Sequence, residues 1–400
     1  MVKLLRAPQP AVVGSAEFDQ QLAAAGKLYR QAGVRYVYLL HGTFAGNDAF
    51  GLFGEIARFF PELGQSLRAM GKSTFDKLIG EAGNYTDDFA QRLASGLNAE
   101  LSGGADFEIR QASALYEPST DLTVRPASSL PEPIEVRRFH WSSENHHIAR
   151  ADAAIALLEE LAGLELKSGE RILLWCHSHA GNVLALLTNL LAAQAEDRRR
   201  FFRACRSYYR WPMLHSIDMN YWPHMQEMLD SDDCPFRNVP LDIATFGTPV
   251  RYGWDTDGCG RLMHFIHHQV CDESRSCVAN FPPRSDDLLH GCCDFIQQLG
   301  IAGTDFPPGP VLWRSWLADW RLNFVLAPNL PRSRLLSRLR LGQRVHADGH
   351  NLLIDYGPQE GTIAHHILGH AVYTRQKWMA FHAREIANAF YSEDNPSDTQ

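Results

Sequence analysis

The sequence has 400 residues, of which 45% are apolar and 21% charged, and its formal net charge at pH 7 is -8. This balance is typical of a globular protein in water, and the negative charge argues against nucleic acid as a partner, because phosphate binding requires a basic surface. No window approaches the ~18 uninterrupted apolar residues of a transmembrane helix, and the first residues contain no apolar run long enough for a signal peptide.

The eight cysteines are a low density for a chain of this length. Without a secretion signal they are expected to be free thiols in a reducing compartment. We therefore expect a soluble cytoplasmic protein, with export by a route that needs no cleaved signal as the alternative. The sequence does not indicate an oligomeric state.

Short apolar runs alternate with helical patterns along the chain. The runs that predict strands are VRYVYLL (34–40), IEVRRFHW (134–141), RILLWC (171–176), LDIATFG (241–247), LMHFIHH (262–268) and NLLIDYG (351–357). A helix capped by Ser142 or Ser143 is predicted over 142–163, and a last helix over 374–391. The alternation predicts an α/β fold in which a mostly parallel sheet carries helices on both faces.

Three segments interrupt this alternation and are predicted to be helical insertions, at 44–130, 196–238 and 294–345. We predict that they belong to one α/β domain over 1–391 rather than to separate domains. The remaining polar residues, 392–400, are predicted to form a disordered tail.

The third insertion contains a predicted helix with four aromatic residues on one face and charged residues on the other. The aromatic residues are Trp313, Trp316, Trp320 and Phe324, and the charged ones are Arg314, Asp319 and Arg321. Together with the aromatic segment 201–228, the aromatic face is predicted either to pack in the core or to cover an apolar acyl-chain pocket. The basic stretch 332–344 is interpreted as a solvated helix face or, alternatively, as a transient contact with anionic lipid headgroups.

The run RILLWCHSHAGNVLALL (171–187) places Ser178 between a buried strand and an apolar helix. That order is typical of a nucleophile elbow, in which a serine at a sharp strand-to-helix turn is presented for attack on a carbonyl carbon. Cys176 and Ala180 stand where the usual motif has glycines, but both are small enough to let strand and helix approach each other. The alternative role of Ser178 is that of an ordinary helix N-cap.

Five segments follow one another in an order known from a large enzyme family. They are LLHGT (39–43), CHSHAGN (176–182), FGTPVRYG (246–253), CDESRSCVANFPP (271–283) and GHAVYT (369–374). On these segments the sequence resembles the α/β-hydrolase superfamily, in particular its lipase-like serine esterases. The resemblance covers roughly residues 34–60, 134–190, 240–285 and 350–391.

The resemblance implies an α/β-hydrolase fold and a serine esterase without a cofactor. Carried over onto this sequence, it makes Ser178 the nucleophile, Asp272 the acid and His370 the base. The backbone N–H groups of His179 and Thr43 become the oxyanion donors. The implied substrate is a small-molecule or lipid carboxylic ester, and a lipase or phospholipase is the first expectation because the insertions are rich in aromatic residues.

Rival residues remain for the base and the acid. The other candidates for the base are His350 and His366. The other candidates for the acid are Asp255, Asp257 and Asp348.

A dense group of cysteines and histidines could in principle hold zinc. It comprises Cys259, Cys271, Cys277, Cys292, Cys293, His264, His267, His268 and His290. No pair has C-x2-C spacing, so we predict no metal there.

Two alternatives to an esterase also remain. One is an amidase or thioesterase with the same catalytic groups. The other is a binding or scaffold protein that keeps the fold without the chemistry.

Overall fold

The computed structural model describes residues 1–42, 83–102, 132–211, 218–232, 234–237, 239–269, 282–301, 305, 307–308, 312–326 and 344–392. Most of the predicted insertion 44–130, the basic residues 332–343 and the tail residues 393–400 therefore lie outside the described residues. None of the helices in these described ranges is long and apolar enough to cross a membrane.

The described residues form a sheet of seven parallel strands, in the order β1-β7-β6-β5-β4-β2-β3. Its strands are β1 (Val2–Arg6), β2 (Val34–Leu40), β3 (Glu135–Phe139), β4 (Arg171–His177), β5 (Leu241–Phe246), β6 (Arg261–His267) and β7 (His350–Asp355). The six predicted strands are confirmed to within two residues at each end. The parallel sheet with helices around it confirms the α/β class.

Strand β1 is absent from the prediction because its sequence, VKLLR, offers no local signal. Four of its five residues are exposed, and the strand forms through parallel pairing with β7, from Val2 opposite Asn351 to Arg6 opposite Asp355. Such pairing depends on a partner that is distant in sequence and overrides local propensity.

Helices cover both faces of the sheet. They are α1 (Ala16–Gln31), α2 (Asp87–Leu97), α3 (His147–Ala162), α4 (Ala180–Ala192), α5 (Ala195–Tyr209), α6 (Tyr221–Asp230), α7 (Ser285–His290), α8 (Phe295–Ile301), α9 (Trp313–Leu326), α10 (Ile363–His366) and α11 (Met379–Tyr391). Helices α3 to α6 and α9 share one apolar core, whereas α1, α2 and α11 share the other. Strand β2 contributes side chains to both cores, because successive side chains of a strand point to opposite faces of the sheet.

The sheet has a topological switch point between β2 and β4. From β2 the chain moves outward to β3, and then returns to place β4 on the other side of β2. In open parallel sheets this reversal leaves a crevice at the carboxyl ends of the two strands. Strand β4 is buried from Ile172 to His177, so the crevice lies over the hydrophobic centre of the fold.

Two helix starts differ from the prediction. Helix α3 begins at His147, and the side chain of His146, rather than Ser142 or Ser143, caps it by accepting a hydrogen bond from the N–H of Ala149 at 3.1 Å. The last helix begins at Met379 instead of 374, because the preceding residues form two 3₁₀ turns over His370–Thr374 and Gln376–Trp378.

Helix α9 presents its aromatic face outward. Trp313, Trp316, Trp320 and Phe324 are all among the exposed residues, whereas Arg314, Ser315, Ala318, Asp319 and Leu322 are buried. The buried face packs mainly against α5 and also against α3. Of the charged residues predicted on the face opposite the aromatic residues, Arg321 is exposed and the other two are buried.

Candidate active site

Ser178 lies in a strained turn between the end of β4 and the start of α4. Its φ angle is 57°, in the left-handed region that non-glycine residues rarely adopt. Two hydrogen bonds hold the turn: the N–H of Ser178 donates to the carbonyl of Phe246 at 2.8 Å, and Thr248 Oγ1 donates to the carbonyl of Ser178 at 2.9 Å. Ser178 is not the cap of α4, whose N-cap is His179, and strained residues of this kind cluster at functional sites.

Close packing around the turn explains its glycine. A Cβ added to Gly181 would lie 2.1 Å from Thr248 Oγ1, so this position admits no side chain. Cys176 and Ala180, which replace the glycines of the usual motif, are fully buried and accommodated. The closest approach between this turn and the loop after β5 is therefore at Gly181 and Thr248, three residues after Ser178.

His370 and Asp294 form a buried pair. His370 Nδ1 lies 2.8 Å from Asp294 Oδ2, and the exposed fractions of the two residues are 5% and 0%. Since a carboxylate only accepts hydrogen bonds, Nδ1 carries a proton, and in the neutral form of the ring the lone pair is on Nε2. Burial acts to raise the pKa of Asp294, but the positive charge and hydrogen bond of His370, with the N–H of Gln297, lower that pKa below its usual value.

The loop after β5 connects this pair to the serine. Gly247 has a φ of 59°, and a Cβ placed on it would lie 2.6 Å from Asp294 Oδ2. The preceding residue, Phe246, accepts the hydrogen bond from the N–H of Ser178. The carboxylate and the serine therefore lie against two consecutive residues at the carboxyl end of β5.

His177 links the strand that ends at the serine to the loop of His370. Its Nε2 lies 3.3 Å from the carbonyl oxygen of His370, and the two rings are 4.5 Å apart between centroids. Burial, followed by the charge of His370, lowers the pKa of His177 to about 3. His177 is therefore neutral at pH 7 and donates from Nε2 to this carbonyl, which fixes the position of the His370 backbone.

Ser178 and His370 are brought to the same edge of the sheet without a hydrogen bond between their side chains. Within the described residues, Ser178 Oγ has no hydrogen-bond partner. Catalytic hydrogen bonds are often long in structures without substrate and shorten in the complex.

Helix α4 and the loop after β2 both adjoin Ser178, and the two oxyanion donors predicted from the sequence belong to these segments. Among the described residues, the backbone N–H of His179 donates to no acceptor, and it precedes the N-terminus of α4, where the helix dipole favours negative charge. A Cβ on Gly42 would lie 2.6 Å from Ser178 Cβ, so this loop touches the serine. Thr43, the predicted second donor, follows directly and lies outside the described residues.

The segment after β3 holds the loop of Gly42 in place. Trp141 Nε1 donates to the carbonyl of His41 at 3.0 Å, and Ser143 Oγ lies 3.0 Å from His41 Nδ1. Ser143 has a φ of 64°, which explains why it does not cap α3. Trp141 and Ser143 thus hold in place the loop that contacts Ser178.

The rival residues named from the sequence lie elsewhere or have other partners. Both ring nitrogens of His366 are engaged, by the carbonyl of Leu289 and the N–H of Gly369. His350 begins β7, and Asp348, Asp255 and Asp257 precede the starts of β7 and β6, so these four lie at the opposite edge of the sheet from Ser178.

The predicted acid, Asp272, lies outside the described residues, and the carboxylate beside His370 is Asp294. Sequence analysis missed Asp294 because it precedes α8 and has the appearance of a helix cap. Its Oδ1 does accept the N–H of Gln297 at 2.8 Å, so one oxygen caps the helix while the other holds the histidine. One feature of the sequence could have indicated Asp294. It is an aspartate at the first position of the predicted insertion 294–345, and it comes after β6, the strand that follows FGTPVRYG (246–253).

A second buried polar cluster neighbours the site and was also missed. Arg150 Nη2 lies 2.8 Å from Asp305 Oδ1, Arg251 binds the other oxygen, and Tyr252 lies between Arg150 and His147. Burial lowers the pKa of His147 to about 4, so this histidine is neutral at pH 7. The same burial, reinforced by Arg150, lowers the pKa of His179 well below its ordinary value.

A metal site is not found in the part of the chain that the structure describes. No group of three or more histidine, cysteine or acidic side chains there lies close enough to hold an ion. Cys292 and Cys293 are buried, and Cys271 and Cys277 lie outside the described residues.

Comparison with protein-family models, with curated proteins and with solved structures finds no match for this chain.

Proposed function

We propose that this protein is a serine hydrolase that cleaves carboxylic esters, on an α/β-hydrolase fold. The observation that carries the proposal is the left-handed conformation of Ser178 at the carboxyl end of β4. A strained serine on the same edge of the sheet as a buried histidine–aspartate pair is the arrangement that nucleophilic catalysis requires.

The topology supports the fold assignment. The serine follows β4 and faces the loop after β2 across the switch point, which is where open parallel sheets bind their ligands. The three catalytic candidates occur in the chain order Ser178, Asp294 and His370, which is the order of α/β-hydrolases.

His370 is the proposed general base. With Nδ1 held by Asp294, the lone pair of Nε2 is free to take the proton of Ser178 as its oxygen attacks the acyl carbon. Asp294 then stabilises the resulting imidazolium by its negative charge, without accepting the proton itself. His177 acts as a positioning residue, since it holds the carbonyl of the residue that carries the base.

The proposed oxyanion donors are the backbone N–H groups of His179 and Thr43. The first belongs to the residue after the nucleophile and precedes a helix N-terminus, so it offers a donor and a positive dipole to the developing negative charge. The second would come from the loop that touches Ser178 through Gly42.

The reaction proceeds in two halves. Ser178 Oγ forms a bond to the acyl carbon, and the alcohol leaves with the proton that His370 returns. His370 then takes a proton from water, whose oxygen attacks the acyl carbon. As the bond from that carbon to Ser178 Oγ breaks, His370 returns the proton to Oγ, which releases the acid and free Ser178. No redox partner or cofactor enters this balance.

The proposed substrates are lipid-like esters, so that lipase or phospholipase activity is the first expectation. The support comes from the aromatic residues of the second and third insertions. A panel of p-nitrophenyl esters of rising chain length, with phospholipid and matched amide and thioester substrates, tests this choice. Turnover of short acyl chains alone would contradict the lipid assignment but leave the esterase assignment intact.

A fluorophosphonate probe tests the proposal itself. We expect the folded protein to be labelled at Ser178, as located by peptide mass analysis, and the Ser178→Ala variant to remain unlabelled. The heat-unfolded protein is the control for non-specific reaction. Absence of labelling in folded protein would contradict the enzymatic proposal.

One observation favours a binding or scaffold protein as the second candidate. Ser178 Oγ has no hydrogen-bond partner among the described residues, so the serine is not engaged with His370 in this structure. The probe separates the two functions, because a non-catalytic fold would bind ligand without forming a covalent adduct at Ser178.

A further inference from the structure

The outward face of α9 is an apolar surface of unusual composition. Its aromatic side chains recur at intervals of three and four residues, and all are close to half exposed or more: Trp313 at 54%, Trp316 at 45%, Trp320 at 52% and Phe324 at 58%. A helix on a globular protein ordinarily turns such a stripe toward the core. Exposed contiguous apolar patches of this kind mark interaction surfaces.

The helix is fixed in this orientation by its polar side. Asp319 Oδ1 accepts the N–H of Ile148 at 3.0 Å at the start of α3, and Ser207 Oγ of α5 donates to the carbonyl of Arg314 at 3.2 Å. Turning the aromatic stripe inward would expose these buried groups and break their hydrogen bonds. The stripe therefore faces outward as part of the fold, rather than as a cover over an internal pocket.

The neighbouring helix, α5, carries a basic stripe. Its exposed arginines are Arg199, Arg200, Arg203 and Arg206, followed by Arg210 at its C-terminal cap. The first two pair with Glu196 and Asp197, but within the described residues the last three form no ion pair. This local positive charge stands against a net charge of -8 for the whole chain.

The two stripes adjoin each other. Ser207, the residue after Arg206, donates to the carbonyl of Arg314, the residue after Trp313. The guanidinium of Arg314 lies 4.2 Å from the ring centroid of Trp211 and 5.4 Å from that of Trp313. The aromatic stripe of α9 and the basic stripe of α5 therefore lie side by side on one surface.

We propose that this surface, formed by the outward faces of α9 and α5, docks the protein on an anionic lipid bilayer. Tryptophan is the residue that settles at the boundary between headgroups and acyl chains, because its ring is apolar and its N–H is polar. Arginines near a negative surface add attraction of about 1 kcal/mol each.

The proposal concerns binding and does not rest on the proposed hydrolytic activity. It is tested with the full chain by co-sedimentation with vesicles of phosphatidylcholine alone and of phosphatidylcholine mixed with phosphatidylglycerol. We expect binding to the mixed vesicles, weakened by added salt, with a blue shift of tryptophan fluorescence. Equal binding to both compositions, or binding to neither, would overturn the proposal.

Two variants and two matched controls locate the surface. The triple variant W316S/W320S/F324S is expected to lose binding by at least about a hundredfold, and R203E/R206E by at least about tenfold, as the sum of the lost contacts implies. The apolar control is L4S/V12S, and the charge control is K3E/K27E, which changes the net charge by the same amount as R203E/R206E. Unaltered circular dichroism shows that each variant is folded.

The variants also distinguish a lipid surface from a second copy of the chain. If the wild-type protein is a dimer by light scattering and W316S/W320S/F324S is a monomer, the surface joins two copies and the proposal is wrong. If the wild-type protein and the variant share one oligomeric state and only vesicle binding is lost, the proposal stands. Loss of binding in K3E/K27E equal to that in R203E/R206E would also contradict it, because the effect would then reflect net charge alone.

Discussion

His370 Nδ1 lies 2.8 Å from Asp294 Oδ2, although the two residues are 76 positions apart in the chain. This contact orients the histidine and selects the tautomer with a free Nε2. The variant Asp294→Asn keeps the shape of the side chain but removes its charge and favours the wrong tautomer. We expect kcat on a p-nitrophenyl ester to fall by about 10⁴-fold, as in other serine triads.

The matched control for this prediction is Asp272→Asn, at the acid implied by the sequence resemblance. We expect its kcat to stay close to that of the wild-type protein. A large loss in Asp272→Asn with little loss in Asp294→Asn would reverse the assignment of the acid.

The left-handed conformation of Ser178 predicts an unusual order of stabilities. Glycine adopts a φ of 57° without strain, whereas alanine does not. Ser178→Gly should therefore be more stable than Ser178→Ala by about 1 kcal/mol in the free energy of unfolding. Urea denaturation of both variants measures the difference.

The control is Ser207, which lies in the interior of α5. There the order should invert, with Ser207→Ala more stable than Ser207→Gly by about 1 kcal/mol, because glycine disfavours helix interiors. The same order at both positions would show that the strain at Ser178 does not contribute to stability.

Buried histidines predict a loss of stability in mild acid. Burial lowers the pKa of His382 to about 3, so between that value and the unfolded pKa of about 6.5 only the unfolded chain takes up the proton. The contribution of neutral His382 to stability is complete above the pKa that the histidine has in the unfolded chain. It is lost as the pH falls toward the lower pKa of the folded protein. At pH 5 the native histidine remains neutral, so lowering the pH from 7 to 5 removes about 2 kcal/mol per such group.

The variant His382→Phe isolates one of these contributions. It removes the titrating group, along with the hydrogen bond to Tyr356 OH at 2.8 Å. Whatever its stability at pH 7, the difference in unfolding free energy between pH 7 and pH 5 should shrink by about 2 kcal/mol relative to the wild-type protein. An unchanged difference would show that His382 is protonated in the folded state.

The carboxylate of Asp305 is predicted to be essential for stability. It serves both Arg150 and Arg251, and these charges hold its pKa well below the usual value despite burial. Asp305→Ala would leave two buried guanidinium groups without their carboxylate partner, at a cost of about 3–5 kcal/mol. Thermal unfolding should show a large decrease in Tm, whereas Asp286→Ala on the exposed side of α7 should change stability by no more than about 0.5 kcal/mol.

Features that depend on residues close together in the chain could be predicted from the sequence. Strand β4 and the turn at Ser178 follow from an apolar run, a serine and an apolar helix, which lie within a few residues of one another. His370 was selected from several histidines by its position before the last helix, and the structure pairs it with a buried carboxylate. Asp294 could not be selected in this way, because its distinguishing contact depends on how β6 and β7 are arranged in the sheet.

The orientation of α9 shows a second limit. The spacing of aromatic and charged residues along α9 predicts two distinct faces, but it does not indicate which face is buried. The buried side was decided by hydrogen bonds of Asp319 and Arg314 to α3 and α5, and these helices are distant in the chain. A polar side that finds complete partners can be buried while an aromatic side remains in water.

Strand β1 has a consequence for how the chain folds. Among the described residues its one neighbour in the sheet is β7. During synthesis β1 therefore stays unpaired with β7 until the residues of β7 have left the ribosome, roughly 20 to 70 s later at common elongation rates. For that period Val2–Arg6 is an unpaired strand segment in a growing chain. Lys3 and Arg6 keep it charged, and charge on such a segment opposes its association with other chains. We therefore expect the exposed charges of Lys3 and Arg6 to keep this segment apart from other chains while the protein is being made.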